Sequence, residues 1–561
     1  MGDVSAPPVM ADVAAADTPD VRKARGAFFT PDAITSFIAQ WAIRSAADRV
    51  LEPSAGDAAF LTAAVERMRR LGDAAVFVPE VHGVEIHEPS AAVARHRVRE
   101  AGGIAHVEVK DFFDVQPAPT YSTVIGNPPY VRYHGWVGTA RTKSRAAALR
   151  AGVPLSGLAS SWAAFTVHSA QFLRDGGRLG LVLPAELLSV NYAAPVRRFL
   201  FDHFARVELV LFDSQVFPEA EADVVLLLAD GYNHGPTDHA VIRQAVDASG
   251  LATLADGQRW APLDPAGKWT GSLVPPPAIE PLRRLREEGA FTNLQTWGET
   301  TLGMVTGGNH FFTLSPAKVA ELGLPRGELR RLSPPGSAHL RGLTLSTAML
   351  RRLGTEGKAT SLFYPGDQPS PAARAYIEAG HKAGVDDAYK CRVRRPWYRV
   401  PLLPAADLLL TCMNADTPRL TTNQARALHL NSVHGVYLSD EHRELGRELL
   451  PLASLNSVTL LNAEMVGRAY GGGVLKIEPR EADVWAMPSP ALVASQADAL
   501  RAIRAAVARK LQAGQLLEAV EIVDRALLVN PHQADAAELV QVQRARAELA
   551  RRRMVRSQRV R

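Results

Sequence analysis

Asn127-Pro128-Pro129-Tyr130, carried at the end of the apolar run Thr123-Val124-Ile125-Gly126, sets an amide, two prolines and a phenol in immediate succession. Thr123 to Ile125 read as the end of a buried strand, and the two prolines force an extended, rigid turn whose carbonyls cannot be drawn into a helix. The Asn127 amide oxygen and the Pro128 carbonyl can then face one NH₂ group. Two acceptors on such a group would pull its hydrogens out of plane and localise a lone pair otherwise delocalised into an sp² system, while the Tyr130 ring offers a stacking face. That chemistry suits transfer of a methyl group to a conjugated amino nitrogen. An ordinary strand-to-loop turn also accounts for these residues, because Asn-Pro is common turn chemistry.

Three earlier segments end in the same way. The strand around Val50-Leu51 runs into Glu52-Pro53-Ser54-Ala55-Gly56-Asp57-Ala58-Ala59-Phe60, with a helix from about Leu61, and a glycine in a strand-to-helix turn lets a ligand approach the backbone. Val81 to Ile86 forms the next apolar strand and carries Glu85 near its end, placed to take two ribose hydroxyls. Lys110-Asp111-Phe112 closes a third strand, where Asp111 can accept from an adenine amino group while Phe112 lies beside the ring. Singly, Glu85 and Asp111 are ordinary solvated loop residues. Their recurrence at successive strand ends, followed by Asn127, is a far more specific signal.

In this order the segments resemble the class I S-adenosylmethionine-dependent methyltransferases, specifically the gamma-type DNA amino-methyltransferases that modify adenine at N6. Arg25-Gly26-Ala27-Phe28-Phe29-Thr30-Pro31 resembles the family's N-terminal motif, and Thr30-Pro31 reads as a helix N-cap with a first-turn proline. The resemblance implies that Phe29, Thr30, Glu52, Pro53, Ala55 and Gly56 line the methionine end of the cofactor, Glu85 and Ile86 its ribose side, and Asp111 and Phe112 its adenine, with Asn127 bordering the same site. Asn127, Pro128, Pro129 and Tyr130 would be catalytic. Ser214-Gln215-Val216-Phe217-Pro218 resembles the segment whose aromatic residue stacks on the target base, so Phe217 would oppose Tyr130 across a flipped base. Two positions depart from the family pattern: Ala58 stands where glycine is common, and His87 where aspartate is common.

The fold expected around these residues is α/β: a Rossmann-like methyltransferase sheet with helices on both faces, then a mixed α+β DNA-recognition domain and a helical C-terminal appendage. The expected boundaries are a flexible leader over 1–24, the methyltransferase domain over 25–245, a proline-punctuated linker over 246–274, the target-recognition domain over 275–490 and the helical tail over 491–561. Gly303 to Phe312, Arg394-Arg395-Pro396-Trp397-Tyr398 and Gly467 to Gly473 interleave glycine, basic and aromatic residues and resemble the target-recognition half of monomeric restriction-modification methyltransferases. Taken singly, the aromatic residues there read as core. Ala513 to Ala519 leading to Asn530-Pro531 resembles part of one helical repeat, and one repeat cannot bury its own face.

A chain of 561 residues is long enough for two or three domains, and a net charge of +5 permits a nucleic-acid partner without requiring one. Two cysteines, Cys391 and Cys412, are too few for a disulfide framework or a cysteine-based zinc site, so no metal is expected. With no apolar run near the roughly 20 residues that cross a bilayer, the sequence predicts a soluble, cytoplasmic protein that does not engage membranes. The expected partners are double-stranded DNA and a cognate restriction endonuclease, with the chain acting as a monomer. The short leader leaves no room for an N-terminal nuclease domain. The same turn geometry also fits an N4-cytosine or a protein-glutamine amino-methyltransferase, and Ala58 and His87 leave open a non-catalytic DNA-binding protein with a decayed pocket.

Overall fold

The computed structural model describes residues 30–72, 77–132, 135–212, 216, 224–262, 264–529 and 535–558. The chain divides into two compact units, Met1–Ser272 and Leu273–Arg561. The first is built on a nine-stranded sheet in the order β3-β2-β1-β4-β5-β7-β6-β8-β9. Its strands are β1 (Val50–Glu52), β2 (Glu80–Glu85), β3 (Ile104–Val109), β4 (Tyr121–Gly126), β5 (Leu173–Pro184), β6 (Phe204–Phe212), β7 (Val224–Tyr232), β8 (Ala240–Ala245) and β9 (Gln258–Trp260). Strands β1 to β5 are mutually parallel, and β7 lies antiparallel between β5 and β6. The chain order reverses between β1 and β4, the crevice where ligands of open α/β sheets bind at the carboxyl ends of the strands.

Helices α1 (Asp32–Ala42), α2 (Ala59–Leu71) and α3 (Glu88–Glu100) share one core with alternate strand residues, among them Ile125, Val182, Val210, Leu226 and Leu228. The intervening Val124, Leu181, Leu183, Leu209 and Leu227 are equally buried, as a sheet covered on both faces requires. On that side α4 (Gly138–Arg150) packs on α5 (Ser161–Ala170), which packs on β5 and is buried along its whole length. The segment expected to be a linker does not behave as one. Residues 246–274 carry β9, and buried Trp260 and Trp269 meet edge-on at 6.1 Å, with Trp269 stacked 4.8 Å from Phe201. Prolines suggested a break, but two tryptophans of the segment had apolar surface to bury.

The second unit contains a four-stranded antiparallel sheet of Gly298–Leu302, Val433–Leu438, Leu408–Thr411 and Leu420–Thr422, in that spatial order. Two three-stranded sheets accompany it, one of Thr313–Leu314, Ser361–Phe363 and Leu329–Arg331. The glycine and aromatic residues of 303–312 are architectural. A β-carbon on Gly303 would lie 2.3 Å from the Leu430 carbonyl oxygen, and Phe311 stacks on Tyr376 at 4.5 Å beside Trp397. The helical C-terminal segment belongs to this unit: the helix Ala536–Gln558 packs on Ser457–Val466 and Pro276–Glu287. Its Arg553 pairs with Glu464 at 2.9 Å, both side chains nearly fully buried, and Arg551 and Arg552 pair with Glu548. No single helix among the described residues is long and apolar enough to cross a membrane; the one bent pair that passes on composition, Arg443–Ala453 with Ser457–Val466, turns by 89°.

Candidate functional site

Five strand ends meet at the carboxyl edge of the parallel sheet. Glu52 closes β1 and is 3 % exposed. Its Oε2 is buried without a hydrogen-bond partner. Burial, reinforced by Asp57 and then Glu85 and opposed by the Leu61 amide at the start of α2, pushes its pKa well above the ordinary value of 4.5. The turn that follows is tied down at Ala55, whose amide donates to the Val84 carbonyl at 2.9 Å. Gly56 has φ +49° and open space where a β-carbon would stand. Ala58 has φ +68° and is fully buried, so the position where the family resemblance favours glycine is one where an L side chain is strained by roughly 1–2 kcal/mol. Glu85 ends β2 and is held by two amides, Gly56 N to Oε2 and His87 N to Oε1, both at 2.8 Å. Each oxygen keeps a lone pair for a further donor. Ile86, beside it, is 67 % exposed.

Asp111 caps the turn after β3, its Oδ1 accepting from Phe113 N at 3.0 Å, and Lys143 Nζ lies 3.7 Å from its other oxygen. The Phe112 ring is buried at 3 % exposure between Phe165 and Phe172 and edge-on to His168. It packs in the core and not beside an open site. Thr30 also differs from expectation. Pro31 is the residue preceding α1, and no side chain caps the helix. The Thr30 hydroxyl instead accepts from Asn127 Nδ2 at 3.1 Å. Phe29 and Phe217 lie outside the described residues.

The turn after β4 is fixed on every side except one. Asn127 Oδ1 accepts from the Tyr130 hydroxyl at 2.6 Å, and that hydroxyl lies 3.0 Å from the Val182 carbonyl of β5. Burial raises the Tyr130 pKa well above its usual value, so the phenol stays protonated and holds the amide. The Asn127 carbonyl accepts from Ser54 Oγ at 3.3 Å, and the Pro129 carbonyl accepts from Ser161 Oγ. Between these two occupied carbonyls, that of Pro128 accepts no hydrogen bond from the described residues. The Tyr130 ring packs partly against the core, its hydroxyl acting as an anchor.

Sequence reasoning missed Ser161. Its hydroxyl donates to the Pro129 carbonyl and accepts from Val131 N at 2.9 Å, while its amide donates to Val131 O at 3.1 Å. It thus clamps the turn from the first residue of α5. Ser160-Ser161 before an apolar helix looks like simple capping, and nothing in its spacing points to residue 129. Ser161→Ala is expected to lower kcat by roughly 5- to 30-fold, the worth of about 1–2 kcal/mol of lost hydrogen bonding, with KM values for both substrates nearly unchanged. Steady-state kinetics at saturating substrate checks this; a change confined to KM would remove Ser161 from the turn's support.

A buried carboxyl with one oxygen unpartnered among the described residues, beside a turn open to close approach, fits the ammonium of the methionine end of S-adenosylmethionine, and an amide-held carboxylate at the end of β2 fits a ribose. Comparison with known proteins agrees. The family described as "N-6 DNA Methylase" matches residues 15–249, and that described as "Type II methyltransferase M.Eco57I, C-terminal domain" matches residues 266–528. The chain is 28 % identical to the Type II methyltransferase M.XamI of Xanthomonas campestris pv. amaranthicola over 482 residues, 83 % of this chain and 85 % of that one. It is 22 % identical to the Type II methyltransferase M.AccI of Acinetobacter calcoaceticus over 481 residues, 82 % and 84 % of the two chains. In fold it is similar to the type IIL restriction-modification enzyme MmeI solved in complex with DNA, with a TM-score of 0.53 at 12 % identity, covering 93 % of this chain and 74 % of that one. With an N-6 DNA methylase region over 15–249 followed by a Type II methyltransferase C-terminal region over 266–528, the chain is an S-adenosylmethionine-dependent, site-specific DNA methyltransferase of the restriction-modification type.

Proposed function

We propose that the methyl group goes to N6 of one adenine within a specific double-stranded sequence, the base being flipped out of the helix into the turn after β4. One observation carries this reading: among the described residues nothing donates to the Pro128 carbonyl, which lies between two occupied neighbours and next to an Asn127 amide oxygen fixed by Tyr130. An amide oxygen has a second lone pair, so Asn127 and Pro128 together can accept both hydrogens of one amino group. Those two bonds draw the nitrogen out of conjugation as it attacks, and Pro129 keeps the turn rigid. The base would lie between Tyr130 and Phe217. S-adenosylmethionine supplies the methyl group as an electrophile. Thr30 with Phe29, Glu52, Pro53, Ala55 and Gly56 would hold its methionine end, Glu85 its ribose, and Ile86, Asp111 and the Phe112 backbone its adenine. The proton released from the amino group passes to solvent after transfer, so preorganisation supplies most of the rate and no covalent enzyme intermediate is required.

The enzyme would work as a cytoplasmic monomer on duplex DNA, protecting sites from a separate restriction endonuclease. Single-molecule modification sequencing of DNA from cells expressing the chain, beside an Asn127→Ala control, tests the reading. N6-methyladenine at one short motif, absent from the control, is the expected result. N4-methylcytosine at that motif, or no modified base from the wild type, would overturn it.

A further inference from the structure

In the second unit, the helix Pro316–Leu322, the strand Leu329–Arg331 and the helix Thr347–Thr355 border a groove lined by Arg326, Arg330, Arg331 and Arg351. No carboxylate lines it. The nearby acids are engaged elsewhere: Glu321 with Lys318, Glu356 with Arg352, and buried Glu328 with the amide and hydroxyl of Ser370. None of the four guanidinium groups forms an ion pair with a described residue, whereas Arg341, Arg419, Arg468 and Arg553 of the same unit each have a carboxylate partner. Four like charges around one groove repel each other weakly through solvent and favour an anion between them.

Two of the four are already oriented. Arg330 Nη1 donates to the carbonyls of Gly327 and Leu329 at 2.9 and 3.0 Å while its guanidinium lies 5.0 Å above the Tyr364 ring. Arg331 Nη1 donates to the Ala425 carbonyl at 2.5 Å. A guanidinium has five donors, so each retains several that can meet an anion with little further loss of side-chain freedom. The Thr360 and Ser361 hydroxyls line the same groove. No aromatic ring is part of the lining, and its arginines and hydroxyl-bearing residues suit phosphate oxygens.

We propose that this groove holds the sugar-phosphate backbone of duplex DNA, contributing affinity and register on the second unit but no sequence information. The inference rests on the DNA reading above. Its test is the salt dependence of binding of the full chain to a duplex carrying the methylation site and to a scrambled duplex, comparing wild type with Arg326→Gln/Arg351→Gln. Each lost phosphate contact lowers the slope of log affinity against log salt by about 0.9. The double variant should therefore lose about two from the slope and weaken both duplexes by the same factor. Arg326 and Arg351 make no bond that folding needs, so the melting temperature should be unchanged; the charge-reversed pair Arg326→Glu/Arg351→Glu should weaken binding further. An unchanged slope, or a loss confined to the cognate duplex, overturns the groove's role. So does loss of inorganic pyrophosphate binding with duplex affinity intact. If the wild type methylates DNA and the slope does not move, only the groove is refuted; if the wild type neither binds nor methylates DNA, the functional reading falls with it.

Discussion

Asn127→Ala is expected to reduce kcat for methyl transfer by about 10²- to 10³-fold, the loss seen when one preorganised group that stabilises developing charge is removed. The affinity for S-adenosylmethionine should change by only a few fold, because Asn127 reaches Thr30 and Tyr130 with its side chain while the buried carboxylates of the cofactor side are held by other groups. The effect should exceed simple loss of one hydrogen bond. Alanine removes the acceptor for the target amino group and also takes away one acceptor of the Tyr130 hydroxyl. Tyr130→Phe separates the two contributions: it keeps the acceptor and removes its anchor, and should cost roughly tenfold in kcat, about 1–1.5 kcal/mol. Rapid-quench single-turnover assays with labelled cofactor, with cofactor binding measured separately, give both numbers. An Asn127→Ala enzyme that turns over at the wild-type rate would remove the amide from the chemistry altogether.

The order of strand ends was legible in the sequence because each is a short apolar run closed by one polar residue of distinct chemistry. Glu52, Glu85, Asp111 and Asn127 emerge at one edge of the sheet because β1 to β4 are parallel and adjacent, which the alternation of strands and helices already implied. What could not be read were relations between residues far apart in the chain that depend on side-chain direction. Thr30 and Asn127 are 97 positions apart, and the pattern Thr30-Pro31 reads as helix capping until the hydroxyl is seen to face the turn after β4. Phe112 follows the strand-end residue Asp111, yet its ring turns inward because three aromatic neighbours offer it buried surface. Strand β9 was hidden for a related reason: three residues between prolines carry too little periodicity to register, and only the burial of Trp260 makes the segment part of the sheet. In the second unit, glycine, basic and aromatic residues mix along the sequence without separating core from surface. Arg468 and Arg394, in segments that resemble a target-recognition half, serve Glu481 and the Val305 and Thr306 carbonyls, whereas the arginines of the 326–351 groove carry no motif.

Glu52→Gln is expected to weaken S-adenosylmethionine binding by about 2–4 kcal/mol, roughly 30- to 1000-fold, the range found when one partner of a buried charge pair is neutralised. The same change should not destabilise the protein without cofactor. Glu52 is buried with one oxygen unpartnered, and its pKa is raised chiefly by that burial. A carboxyl whose folded pKa lies above its unfolded value favours folding below the unfolded value and loses that contribution as pH rises through the folded one. In the cofactor-free enzyme Glu52 therefore opposes folding increasingly above pH 4.5, and glutamine relieves this. The ammonium of the cofactor reverses the preference by stabilising the carboxylate. Binding would then release a proton wherever Glu52 is still protonated, so affinity would rise with pH towards the raised pKa and level off beyond it. Calorimetric titration in two buffers of different ionisation heat should show proton release from the wild type in that window and none attributable to this group from Glu52→Gln. Thermal denaturation should in turn show a large cofactor-induced rise in melting temperature for the wild type and little for the variant. If the variant binds as tightly as the wild type with the same proton release, the orphaned carboxylate serves the fold alone and the methionine end must be held elsewhere.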